Sequence, residues 1–207
     1  MPTAASIETP SRRPPGTHPV EERILAAARA HFFVHGFRGV TMSDLAADLG
    51  MSKKTLYAHF PSKTALVERV LSAKLRAVEE ELQRITGESP ADFTATLRQM
   101  LACIQRHTQQ VRPPFLRDIE RETPELHAFL KKRRQELAHR SFGKLIAAGR
   151  KAGIIRRDIP ANLVIEMLLG IQPEKMAELG LTPAAALTMV TSVLFEGLLT
   201  EKGRARP

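Results

Sequence analysis

The sequence predicts an all-α fold, and three observations carry the prediction. Apolar residues recur at spacings of three and four along the chain, and no stretch sustains the alternation of a half-buried strand. Aromatic residues make up only 5% of the chain and tryptophan is absent, which points to an aliphatic helical core. Proline and glycine fall between the periodic runs, dividing the chain into about nine helices. With 207 residues, 43% apolar and 26% charged, the composition is that of a globular protein with room for one large or two small domains.

Residues 1–18 carry Pro2, Pro10, Pro14, Pro15 and Gly16 among Ser and Thr, without apolar periodicity, and are expected to form a disordered arm. Arg12 and Arg13 within it offer cations to a minor groove, though a plain solvated tail explains them as well. A first helix is expected over residues 19–35, with Glu21 and Glu22 in its first turn and Gly36 closing it. Leu25, Ala28 and Phe32 share one face of it. His31 and His35 lie four apart, a spacing that can hold zinc, but no third ligand accompanies them, and we read them as helix-surface residues.

The next stretch, residues 41–63, organises the rest. Thr41 and Asp44 form a capping box that starts a short helix. Leu45 and Leu49 give that helix one apolar face, and Gly50 stands where a left-handed backbone must end it. Ser52 caps a second helix over residues 53–60, stopped by Pro61. Ala46 is small enough for a steep crossing, and Met51 and Leu56 wedge between the two helices. Helix, Gly-containing turn and helix are the parts of a helix-turn-helix. Lys53 and Lys54 sit in the first turn of the second helix, the positive end of its dipole, where cations are disfavoured unless an anion arrives. Thr55, Tyr57 and His59 add hydroxyl, phenol and imidazole groups, and Lys63 opens the following helix. These are the groups that contact phosphates and base edges.

Phe32-x3-Gly36-Phe37-x3-Thr41, then the two helices, then Leu56-Tyr57-x-His59-Phe60-x-Ser62-Lys63-x2-Leu66, resembles the N-terminal domain of TetR/AcrR-type transcriptional regulators over roughly residues 20–70. The resemblance implies that Lys53, Lys54, Thr55 and Tyr57 touch bases and backbone. It further implies that Thr41, His59 and Lys63 hold phosphates. With Ser43 and Ser52 these complete the expected DNA-contact set. The implied protein is a homodimeric regulator, usually a repressor, that reads a palindromic operator and answers to a small-molecule effector.

Residues 62–85 are expected to run as one long helix joining the DNA-binding unit, 19–65, to a larger ligand-binding and dimerisation unit, 66–207. Residues 87–90 break the chain. Residues 91–107 carry Phe93, Leu97, Met100, Leu101 and Ile104 on one stripe. Pro113-Pro114 opens a short helix through Phe115 and Ile119, and Pro124 a long one reaching residue 151. Lys131-Lys-Arg-Arg134 on it is read as a solvated face, and Gly143-x5-Gly149 has the wrong spacing for a phosphate loop. Residues 162–172 are apolar nearly all round, and residues 183–199 carry Leu187, Val190, Leu194 and Leu198 on one stripe. A single small chain cannot cover both, so Leu163, Met167, Leu187, Val190, Leu194 and Leu198 are expected at a two-fold four-helix interface. A cavity lined by Phe93, Leu97, Met100, Ile104, Phe115 and Met167 is the expected effector site, with ordinary core the competing account of the same residues.

The net charge of +9 suits a polyanionic partner, but residues 1–65 hold 8 Lys and Arg against 5 Asp and Glu, so the motif rather than the charge carries the DNA-binding reading. The single cysteine, Cys103, forms no intrachain disulfide and is expected to be a buried hydrophobe in a reducing cytoplasm. No stretch is long and apolar enough to span a membrane, and no hydrophobic signal core opens the chain. No nucleophile–base pair, carboxylate pair in a polar setting, metal-ligand cluster or phosphate loop stands out, so neither catalysis nor a cofactor or metal is expected. The alternative to a ligand-responsive regulator is a constitutive DNA-binding regulator without an effector.

Overall fold

A computed structural model describes residues 19–87, 93–170 and 180–200. These form nine α-helices: α1 Pro19–His35, α2 Met42–Asp48, α3 Lys53–His59, α4 Lys63–Gly87, α5 Phe93–Gln109, α6 Pro113–Glu122, α7 Pro124–Lys151, α8 Ala161–Leu169 and α9 Pro183–Leu198. The expectations for the arm at residues 1–18, with Arg12 and Arg13, for the break at 88–90 and for the helix end at 171–172 lie outside the described residues. The one extended pairing among them is a single antiparallel bridge between Ile155 and Leu199. There Arg156 N–H donates to the Leu198 carbonyl at 3.0 Å and Thr200 N–H to that of Ile154 at 2.9 Å.

Helix boundaries follow the local chemistry. Gly36, at φ +80°, turns the chain out of α1 while its N–H donates to the Phe32 carbonyl at 3.0 Å. The inward face of α1 is one residue from the expected stripe: Ile24, Ala28, Phe32 and Phe33 are buried, and Leu25 packs half-buried beside them. Ser62 caps α4 by accepting from Ala65 N–H at 3.0 Å. The 25 residues of α4 span about 37 Å at 1.5 Å per residue. Pro113 and Pro114 open α6, and Pro124 opens α7, where a missing N–H leaves no bond unmade.

Two apolar clusters stack along α4, and their division does not follow residue 65. The first joins Ile24, Phe32, Leu45 and Leu56 to Leu66, Val70 and Leu71 of α4, and to Phe115, Ile119 and Leu126 of α6 and α7. The second joins Leu82 at the far end of α4 to Phe93, Met100 and Cys103 of α5, Leu145 and Ile146 of α7, Ile165 of α8 and Leu198 of α9. The helix-turn-helix therefore shares its core with α6 and the start of α7. An ion pair between Arg38 and Glu122 and a 3.2 Å bond from Arg38 N–H to Asp118 Oδ2 reinforce that contact.

Candidate nucleic-acid interface

The helix-turn-helix is built by its caps. Thr41 Oγ1 accepts from Asp44 N–H at 3.1 Å while Asp44 Oδ2 accepts from Thr41 N–H at 3.0 Å, the reciprocal pair of a capping box. Gly50, at φ +64°, follows α2, and Met51 N–H donates to the Ala46 carbonyl at 2.9 Å. Ser52 Oγ accepts from Thr55 N–H at 3.0 Å and starts α3. Leu45 and Leu56 are fully buried and Ala46 nearly so, which fixes α3 across α2. This leaves one face of α3 outward.

On that face Lys53, Lys54, Thr55 and Tyr57 are exposed, with Tyr57 at 46%. The α3 first turn contains no acidic residue, so two ammonium groups stand at the positive end of a short dipole. Not every expected contact residue is equally available. Thr41, Ser52 and Thr55 are exposed but already use their hydroxyls, with Ser52 Oγ and Thr55 Oγ1 sharing a 2.8 Å hydrogen bond. Ser43 is half-buried. His59 is half-buried too, with Nδ1 3.7 Å from Glu21 Oε1. Lys63 lies back over the Phe37 ring, its Nζ 4.1 Å from the centroid, and burial lowers its pKa against the pull of Glu122 and Asp118. His31 reaches Asp48 Oδ2 at 3.2 Å and so ties α1 to the end of α2.

The family model described as bacterial regulatory proteins, tetR family, matches residues 24–70, which take in these helices. Residues 24–70 thus carry the DNA-binding segment that this model describes. Among relatives, the uncharacterized HTH-type transcriptional regulator YvaF of Bacillus subtilis is 27% identical over 88% of this chain and 97% of its own. The HTH-type transcriptional repressor SCO4008 of Streptomyces coelicolor is 28% identical over 72% of this chain and 74% of its own. A transcriptional regulator of Saccharomonospora viridis, solved in complex with choline, superposes with a TM-score of 0.68 at 19% identity, covering 88% of this chain and 98% of that one. These relatives are named as transcriptional regulators, and the solved structure shares the fold of this chain. No helix among the described residues is long and apolar enough to cross a membrane.

The remaining expected sites are rearranged by packing. Of the six residues expected to line an effector cavity, Phe93, Leu97, Met100 and Ile104 come together in the second cluster. Phe115 does not join them, because α6 carries it into the first cluster against the rings of Phe32 and Phe33. Met167 points outward and is 50% exposed, which removes it from any cavity in this core. A cleft of about 530 Å³ lies elsewhere, between the start of α4 and the α6–α7 junction, lined by Thr64, Glu68, Glu122, Thr123, Leu126 and Phe129 among others. Spacing in the sequence carried no sign of it, because its walls come from segments far apart in the chain.

The residues expected at the dimer face divide between surface and core. Leu163 and Met167 of α8 are exposed at 51% and 50%, and on α9 Met189 and Val193 are exposed at 55% and 71%. Leu198 instead is buried in the second cluster and Leu194 packs against it, because the chain after α9 is held to Ile154 and Arg156. Val190 is half-buried, and the Leu187 side chain falls outside the described residues. The outward stripe is thus Leu163, Met167, Met189 and Val193.

Proposed function

We propose that this protein is a homodimeric, effector-responsive repressor that binds a palindromic operator through α3. The observation that carries the reading is the outward first turn of α3, where Lys53, Lys54 and Tyr57 are exposed while the caps and Leu56 hold the helix from behind. Two such helices related by a two-fold axis would enter successive major grooves about 34 Å apart. The apolar stripe on α8 and α9 supports a two-fold partner, since exposed apolar side chains gathered on neighbouring helices favour burial. In this scheme α4 is the lever, because its first turns pack with the helix-turn-helix and its far end with α5. An effector that displaced its far end would alter the spacing of the two recognition helices, and a coupling of about 1–3 kcal/mol suffices for a switch. The choline bound by the Saccharomonospora viridis protein supports an effector, and the repressor name of the Streptomyces coelicolor relative supports the sign of regulation.

One observation favours the alternative of a constitutive regulator. Phe93, Leu97 and Met100 are 5%, 6% and 0% exposed and fill the core that an effector would enter. Titrating operator affinity against metabolite extracts separates the two, since no extract shifts a constitutive regulator.

The test begins with selection of DNA from a random pool, for which a palindromic consensus is expected. Lys54→Ala and Tyr57→Ala should each weaken binding to that consensus roughly tenfold, in line with ~1–3 kcal/mol per good base contact. Both variants should remain dimeric. Unchanged affinity in both would remove α3 from the interface.

A further inference from the structure

The second cluster holds a group of side chains that the DNA-binding reading does not use. Cys103 and His107 are four apart on α5 and so share one face, which meets Glu81 of α4. One donor atom from each of the three lies within 4.8 Å of the others. We propose that Glu81, Cys103 and His107 form a binding site for a divalent transition-metal ion of the zinc class, joining α4 to α5. Sulfur, imidazole nitrogen and carboxylate oxygen together suit zinc and its neighbours, and exclude magnesium and calcium, which take oxygen ligands.

The geometry needs only small adjustment. Bonds of about 2.0–2.3 Å in a tetrahedral site place ligand atoms roughly 3.3–3.8 Å apart. His107 Nε2 stands 3.0 Å from Glu81 Oε2, so that edge opens slightly on binding. Of the groups around the trio, Arg106 keeps its contact and Lys74 gives one up. Arg106 pairs with Glu81 through Oε1, leaving Oε2 for the ion. Lys74 Nζ lies 3.4 Å from His107 Nδ1 and 2.6 Å from Gln110 Oε1. As a pure donor, Lys74 makes Nδ1 the acceptor and Nε2 the N–H that faces Glu81. On binding, the imidazole proton moves to Nδ1, Nε2 becomes the ligand, and Lys74 rests on Gln110 alone. The thiol proton leaves, so one proton is released per ion, and thiolate and carboxylate neutralise its charge. Access is from the side of Glu81 and His107, whose side chains are 23% and 17% exposed, whereas Cys103 is fully buried. A neighbouring ion would join the far part of the lever helix to α5, where an effector is expected to act.

The test uses the full chain without an affinity tag and contains no DNA, so it stands or falls separately from operator binding. Titration with cobalt(II) should give a thiolate-to-metal charge-transfer band in the near ultraviolet that saturates at one ion per chain. Zinc should displace it, with one proton released per ion in weakly buffered indicator. Cys103→Ser should abolish the band, and Glu81→Gln and His107→Gln should each weaken binding at least tenfold against a chromophoric chelator. His139→Gln, which removes a histidine paired with Glu166 on other helices, should leave binding unchanged. Should Cys103→Ser lose helical circular dichroism, Cys103→Ala takes its place, and the proton count on the unaltered chain stands by itself. Absence of the band in the unaltered chain, its survival in Cys103→Ser, or full affinity in His107→Gln would each overturn the site.

Discussion

Thr41 and Asp44 illustrate how a pair of side chains sets the start of an element. The Thr41 hydroxyl, donating at 2.7 Å, and then the Thr41 N–H hold the Asp44 carboxyl below its usual range. A carboxyl whose folded value is depressed adds stability above its unfolded value, near pH 4, and that stability is lost as pH falls through the folded value. Thr41→Val should therefore raise the Asp44 midpoint in an NMR titration and shift acid unfolding toward higher pH. A midpoint that did not move would show that the hydroxyl is not the cause. Thr41→Ala should also lower stability by about 1 kcal/mol, the usual loss of a helix cap, as read from urea unfolding. This pair was legible in the sequence, because a capping box is a contact three residues long and no distant segment is needed to form it.

Helix α7 shows where such local reading stops. Gly143 and Gly149 both lie on α7, and in sequence both look like weak points in a helix. A Cβ at Gly143 would meet nothing within 4 Å, whereas at Gly149 it would come within 2.9 Å of Phe93 and of Ile155. Gly143→Ala should stabilise the protein by ~0.5–1 kcal/mol through helix propensity alone. Gly149→Ala should instead destabilise it, by roughly 1–3 kcal/mol, because a ring and a branched chain must move. Thermal unfolding of the two variants decides the matter, and equal signs would contradict the close approach of α5 to α7. The same limit explains Phe115: its helical stripe was plain, but which core the stripe would enter depended on the course of α6.

At the scale of the whole molecule, the proposed dimer rests on the exposed Leu163, Met167, Met189 and Val193. Val193→Asp and Met167→Asp should yield folded monomers by analytical ultracentrifugation, with operator affinity falling as the second half-site is lost. Leu198→Ala should behave differently, since a core residue 4% exposed is removed. A loss of about 2–5 kcal/mol in stability is expected there, with no selective effect on association. Dimers that survived both aspartate variants would place the partner on another face.

What the sequence determined alone was everything that short-range chemistry decides. Caps, turn glycines and helix-opening prolines placed the helices of the described residues, and the spacing of Thr41 to Lys63 marked α3 and its outward residues. Only the tertiary structure decided which face of each helix turned inward. It sent Met167 outward and Leu198 inward, and it brought Glu81 to Cys103 and His107 across two helices. The reason is that an apolar stripe specifies that a helix must be covered, while the identity of the cover depends on packing among segments distant in sequence.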